Sequence, residues 1–199
     1  MRVALLVYAL GSPAAGAATS LAISTAGTLV GTFRHAADGR VRLGLLLTIG
    51  APSALAAFIT ARHAGSLDPR LLKAAIAVVL IITGVAMLRR PAPPAGSSEH
   101  VPPPRYAVLR EVVVGALLGA ISGLVGLLLG SLRLPAMIRY ARVAPPVAVG
   151  TNMAIGCLTG LSAGVATFLE GQVDLPAFAV VTPLTLLGAH LGARRTGQL

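Results

Sequence analysis

The chain has 199 residues, of which 55% are hydrophobic and 11% are charged, and its mean hydropathy is +0.84. A soluble domain needs about a quarter of its residues charged to cover its surface, so this composition excludes an ordinary water-soluble fold. The formal net charge is +10, but the arginines form short clusters between apolar runs. That pattern is typical of membrane flanks and not of a nucleic-acid-binding face. We therefore expect the lipid bilayer as partner, and no nucleic acid.

In chain order, the first ten residues form a short apolar stub that follows Arg2. The stub also resembles a secretory signal with its cleavage site, and the sequence leaves that alternative open. Longer apolar stretches follow, each able to cross a hydrocarbon core of about 30 Å as a helix. They cover residues 14–33, 43–61, 71–88, 112–132, 146–169 and 175–193. The sequence thus predicts an all-α polytopic membrane protein with six full transmembrane helices plus an N-terminal stub.

The sequence also repeats itself at a fixed offset of 132 positions. Matched pairs include Tyr8/Tyr140, Pro13/Pro145, Thr19/Thr151, Gly39/Gly171 and Arg62/Arg194, and Asp38 falls opposite Glu170. Duplicated apolar halves are a common construction of membrane transporters. We expect a first repeat over 1–89 that lacks most of its first helix, a Pro-rich linker over 90–107, and a second repeat over 108–199 that lacks its last helix. This organisation corresponds to two homologous repeats truncated from a 4+4 helix design.

The fourth predicted helix carries Gly115, Gly119 and Gly123 on one face, where glycines let two helix backbones approach closely. We interpret this stripe as a packing face. The alternative is a helix weakened near Gly130, Ser131 and Pro135, whose freed amide groups would favour an anion.

Arg133 is the cation nearest to that segment. The sequence leaves open whether its guanidinium pairs with an anionic ligand or extends to the membrane surface beside neighbouring arginines.

Small polar residues follow a Pro-containing helix start in both halves: Thr19 and Ser20 in the first, and Gly150, Thr151 and Asn152 in the second. A polar group in an apolar helix must find a partner. A threonine can bond the carbonyl of its own preceding turn. The alternative is a pair of substrate sites, related by pseudosymmetry, that meet near the middle of the membrane.

No Asp or Glu falls inside a predicted span, and the chain is positive, which together favour a small anionic substrate over a cation. The sequence shows no nucleophile–base pair, phosphate-binding loop, paired carboxylates or cluster of metal ligands. We therefore expect no enzyme activity, no cofactor and no metal. A homo-oligomer is compatible with the sequence.

The stretch from Gly126 to Pro135 (GLLLGSLRLP), followed by 148–152 (AVGTN) and matched by 17–20 (AATS), resembles the motifs of the sulfite exporter TauE/SafE family, also called TSUP permeases. The resemblance implies transport of sulfite, sulfonates or related organosulfur anions across the bacterial inner (plasma) membrane, by alternating access of the two repeats. The expected substrate-binding residues are Thr19, Ser20, Gly130, Ser131, Gly150, Thr151, Asn152 and Arg133.

The chain departs from the family pattern at Leu128 and Leu129, where the family usually has glycines. Together with the expected truncation, this departure supports an alternative hypothesis. In that alternative the chain is a truncated or inactive membrane scaffold that transports nothing.

Overall fold

The computed structural model describes residues 2–88, 107–126, 129–130, 133–134, 137–138 and 143–196. The regular structure of these residues is helical. In chain order the helices are α1 (Arg2–Leu10), α2 (Pro13–Ala37), α3 (Leu43–Ala64), α4 (Pro69–Leu88), α5 (Ala107–Val125), α6 (Pro145–Leu169) and α7 (Leu175–Thr196). The predicted Pro-rich linker lies outside the described residues, apart from Ala107, which begins α5.

Four helices of the described residues are long and apolar enough to cross a membrane: Pro13–Ala37, Leu43–Ala64, Val108–Val125 and Pro145–Leu169. A shorter apolar helix covers Leu175–Leu187. Large apolar side chains stay exposed along the spans, for example Leu47 at 68% and Leu117 at 58%. Such surfaces fit lipid as their surroundings and not water. The predicted all-α polytopic membrane fold is confirmed.

Helices α2 and α6 begin and end in the same way. Pro13 and Pro145 each occupy the first helical position. A backbone N–H at that position has no acceptor within the helix, so a proline there removes no hydrogen bond. Both helices have 25 residues. The turns that follow contain Gly39 and Gly171 with φ of +67° and +65°, a left-handed conformation that glycine adopts without steric cost.

Helices α2 and α6 pack against each other in opposite directions. Residue numbers fall along α2 as they rise along α6 at three close approaches: Gly31 with Met153, Thr28 with Gly156, and Thr25 with Gly160. Because the two helices are antiparallel, the start of each lies beside the end of the other.

Helix α3 packs in the same direction as both α5 and α6. The glycine stripe of α5 follows it turn by turn: Gly115 against Ile49, Gly119 against Ser53, and Gly123 against Ala57. A methyl group added at Gly119 would lie 2.6 Å from the Cα of Ser53, so a larger residue does not fit there. The stripe is therefore a packing face, as predicted from its spacing.

Helix α5 differs from its prediction at both ends. The predicted span was 112–132, but the helix starts at Ala107 and ends at Val125, since Gly126 has φ of +70° and lies against the carbonyl of Ala17. Glu111 thus lies inside the helix, and its carboxylate accepts a hydrogen bond from Thr48 Oγ1 at 2.7 Å. The expectation that no acid falls inside a span is wrong for Glu111.

A π-helical turn, Leu46–Gly50, interrupts α3 just before Ser53. Pro52 causes it in part, because proline has no amide hydrogen to donate to the carbonyl of Thr48 and its ring would clash with that carbonyl. Wide turns of this kind often mark functional sites in helices. Here the π turn sets the direction in which the Ser53 side chain projects from the helix.

We predict that Gly119→Ala destabilises the protein, because the new methyl group forces α5 away from α3. Overpacking of this kind costs about 1–3 kcal/mol. The matched control is Gly164→Ala, where an added methyl group has nothing within 4 Å. Thermal unfolding in detergent, followed by circular dichroism, should show a melting temperature several degrees lower for Gly119→Ala alone. Equal melting temperatures for the two variants would contradict the packing described here.

Candidate anion site

Arg133 lies in the interior of the bundle, with only 2% of its surface exposed. Its NH2 atom donates to Ser53 Oγ at 3.3 Å, while Nε and NH1 are buried and have no hydrogen-bond partner in the described structure. The neighbouring residues Leu134 and Met137 pack into the apolar cluster around Ile155. The alternative in which Arg133 extends to the membrane surface is therefore wrong.

The hydroxyl groups of Ser53 and Thr159 extend the hydrogen bonding of the Arg133 guanidinium toward α6. Thr159 Oγ1 lies 3.0 Å from Ser53 Oγ and 2.7 Å from the carbonyl oxygen of Ile155. Both Ser53 and Thr159 are fully buried. The three polar side chains thus form one connected network between the segment after α5, helix α3 and helix α6.

Gly130, three residues before Arg133 in the sequence, lies against Asn152. A methyl group added at Gly130 would lie 2.7 Å from Asn152 Nδ2, and Asn152 Oδ1 is buried with no hydrogen-bond partner among the described residues. Asn152 and Thr159 are seven residues apart on α6, which puts them on the same face about 10 Å from each other. Gly130 thus lies against Asn152, and Arg133 is linked to the same face of α6 through Ser53 and Thr159.

A buried guanidinium with two unpartnered nitrogen atoms suits a negatively charged ligand. Removing a charge from water costs several kcal/mol unless a counter-charge and hydrogen bonds compensate it. Arginine also presents its N–H groups in a planar fork that matches oxyanions. The site can thus hold a small oxyanion, which would receive hydrogen bonds from Nε and NH1 of Arg133.

Thr19 and Thr151 have a different environment from the predicted one. Thr151 Oγ1 accepts a hydrogen bond from the backbone N–H of Arg42 at 2.9 Å, and Thr19 Oγ1 accepts one from the N–H of Asp174 at 3.0 Å. Both amides stand at the start of a helix, where no carbonyl of the same helix can accept from them. Each threonine therefore ties its own helix to the first residues of a helix in the other half of the chain.

The expectation that these threonines meet near the middle of the membrane is wrong. Because α2 and α6 are antiparallel, Thr19 at the start of α2 lies beside the end of α6, and Thr151 lies at the opposite end of the pair. Ser20 is buried next to Thr19, and Gly150 lies against the carbonyl of Arg40. Ser131 falls outside the described residues. That Thr19, Ser20, Gly150, Thr151 and Ser131 contact substrate stays a prediction.

Ser53 and Thr159 were not expected from the sequence. Serine and threonine in apolar helices usually bond a carbonyl of their own helix, so their identity alone gives no signal. Their positions give a weak signal, because Thr159 lies on the same helix face as Asn152, two turns later, and Ser53 directly follows Pro52, which disturbs the helix.

We predict that Thr19→Val and Thr151→Val each destabilise the protein to a similar extent, because each leaves one backbone amide without an acceptor. An unsatisfied buried amide costs about 1–3 kcal/mol. Thr167→Val is the matched control, since Thr167 is buried and bonds only carbonyls of its own helix. Thermal unfolding in detergent should separate the first two variants from the third. Melting temperatures no lower than that of the control would contradict the cross-half hydrogen bonds.

Comparison with known proteins agrees with the apolar helices. The family model described as Sulfite exporter TauE/SafE matches residues 1–199. Searches of curated proteins and of solved structures give no match. Members of this family transport sulfur-containing anions across membranes, and the long apolar helices are those of a multi-pass membrane protein. The match covers every position of the sequence, so the chain belongs to the sulfite exporter TauE/SafE family.

Proposed function

We propose that the chain is a permease of the bacterial inner membrane that carries sulfite or a small sulfonate and binds it at Arg133. The observation that carries the proposal is the buried guanidinium, whose Nε and NH1 have no partner among the described residues. A buried cation without a counter-ion is costly, and an oxyanion would compensate it. An ionisable residue inside a membrane protein is by default a candidate for a substrate or ion path.

We further propose that two inverted repeats, 1–89 and 108–199, provide alternating access to this site. Three observations support the proposal. Helices α2 and α6 have equal lengths and equivalent turns. They pack antiparallel, as expected if a twofold axis in the membrane plane relates the halves. The hydrogen bonds from Arg42 to Thr151 and from Asp174 to Thr19 are each other's counterparts at the offset of 132.

One ionic contact joins the two halves at one end of the α2–α6 pair. At one end Arg62 Nε lies 2.9 Å from Glu170 Oε1, which joins the two halves. Asp38, which the offset of 132 places opposite Glu170, has its Oδ2 3.5 Å from Arg40 NH1 within its own half. Alternating access would require the contact between Arg62 and Glu170 to open when the transporter changes the side to which it is open.

Arg133→Gln tests the substrate site. The change keeps hydrogen-bonding groups but removes the charge, and we expect sulfite flux into proteoliposomes to fall at least about tenfold, since a lost charge-assisted hydrogen bond is worth about 1.5–3 kcal/mol. Arg70→Gln is the control, because Arg70 is exposed on α4. Normal flux through Arg133→Gln would refute the site. If the wild-type protein moves no sulfur anion at all, the scaffold alternative is favoured.

Arg62→Cys together with Glu170→Cys tests alternating access, in a background where Cys157 is replaced by Ala. A short bifunctional thiol reagent should join the two halves at that end and stop sulfite flux, and a reducing agent that cleaves the link should restore it. The control pair, Asp38→Cys with Arg40→Cys, joins two positions of one turn and should leave flux unchanged. Undiminished flux after complete cross-linking of 62 to 170 would show that this contact does not have to open.

A further inference from the structure

The interior of the bundle holds a single charge in the described structure. The buried polar side chains of these residues are threonines and serines, and Arg133 is the one charged group among them. The nearest acid on α5 is Glu111, which is bonded to Thr48. It lies eight residues, or about 12 Å along the helix, before the glycine that faces Ser53. The site therefore carries one positive charge and no acid of its own in these residues.

The two hydroxyl groups described beside Arg133 already have hydrogen-bond partners. Thr159 Oγ1 lies 2.7 Å from the Ile155 carbonyl oxygen, which can only accept, and 3.0 Å from Ser53 Oγ, to which it is also a donor. Ser53 Oγ accepts from Arg133 NH2 as well. The Nε and NH1 hydrogens of Arg133 have no acceptor among the described residues and remain for the ligand.

We propose that this site selects singly charged oxyanions, and that Ser53 and Thr159 are positioning residues that hold Arg133 for this purpose. The proposal rests on the proposed function above. One guanidinium neutralises one negative charge. A second charge on the ligand would have no second cation to compensate it among the described buried residues, and its surroundings are largely apolar.

The ligand class follows from this charge balance. Sulfonates, with one negative charge and three oxygen acceptors, fit the site, as does hydrogensulfite. Sulfate and fully deprotonated sulfite carry two charges and do not fit. Methanesulfonate and sulfate form a matched pair of probes, because they have the same tetrahedral shape and differ in one charge.

Competition against labelled sulfite flux in proteoliposomes tests the selectivity. We expect methanesulfonate to inhibit at a concentration at least about tenfold below that of sulfate, because tenfold corresponds to only about 1.4 kcal/mol and an uncompensated buried charge costs more. Inhibition by sulfate at the same or a lower concentration would overturn the proposal.

Thr159→Val tests the positioning role, with Thr159→Ser as the conservative variant. We expect Thr159→Val to raise the apparent KM for sulfite about fivefold and to leave Vmax within about twofold of the wild-type value. We also expect the ratio of the inhibitory concentrations of sulfate and methanesulfonate to fall, because a guanidinium that is held less firmly discriminates less between the two anions. Thr159→Ser should restore both values. Ser162→Ala is the matched control: Ser162 donates to the Ala54 carbonyl at 2.8 Å between the same two helices. A Thr159→Val variant that matches this control in KM and selectivity would refute the positioning role.

Different results would contradict the Arg133 site and its selectivity for singly charged anions. If Arg133→Gln transports normally, the site itself is wrong. If Arg133→Gln abolishes flux while sulfate competes as well as methanesulfonate, the site is upheld and the selection for single charge is wrong.

Discussion

A guanidinium held away from both water and lipid headgroups is the constraint on which the rest of this structure depends. In an apolar bundle such a group is tolerated only where neighbouring elements supply acceptors and a ligand can complete the set. Ser53 gives Arg133 one acceptor. The Nε and NH1 atoms have no acceptor among the described residues.

Close approach of helix backbones creates the place where this group can be held. The glycines of α5 bring its backbone against α3, and the π turn before Ser53 rotates the next residues of α3 relative to a regular helix. Helix α5 then stops at Gly126, which packs on Ala17. Next to these contacts, Ser53 of α3 lies 3.0 Å from Thr159 of α6 and within hydrogen-bonding distance of Arg133.

The sequence predicted α2, α3, α6 and α7 to within a few residues at their starts, because prolines and polar turns mark where apolar runs begin. It predicted the end of α5 wrongly, since hydropathy continues past Gly126 and only the backbone conformation shows the break. The interior position of Arg133 was one of two open alternatives, and the contact that decides it joins residues 80 positions apart. The hydrogen-bond partners of Thr19 and Thr151 are amides of the opposite half of the chain, which a local pattern does not reveal.

The antiparallel arrangement of α2 and α6 has a consequence for sidedness. Arg34, Arg40 and Arg42 lie around the turn at the end of α2, whereas the equivalent turn after α6 carries Glu170 and Asp174 at the opposite end of the pair. Short basic loops stay in the cytoplasm during insertion, and the anionic inner leaflet attracts each arginine by about 1 kcal/mol. The two ends of the α2–α6 pair therefore differ in charge, which is the kind of difference on which the positive-inside rule depends during insertion.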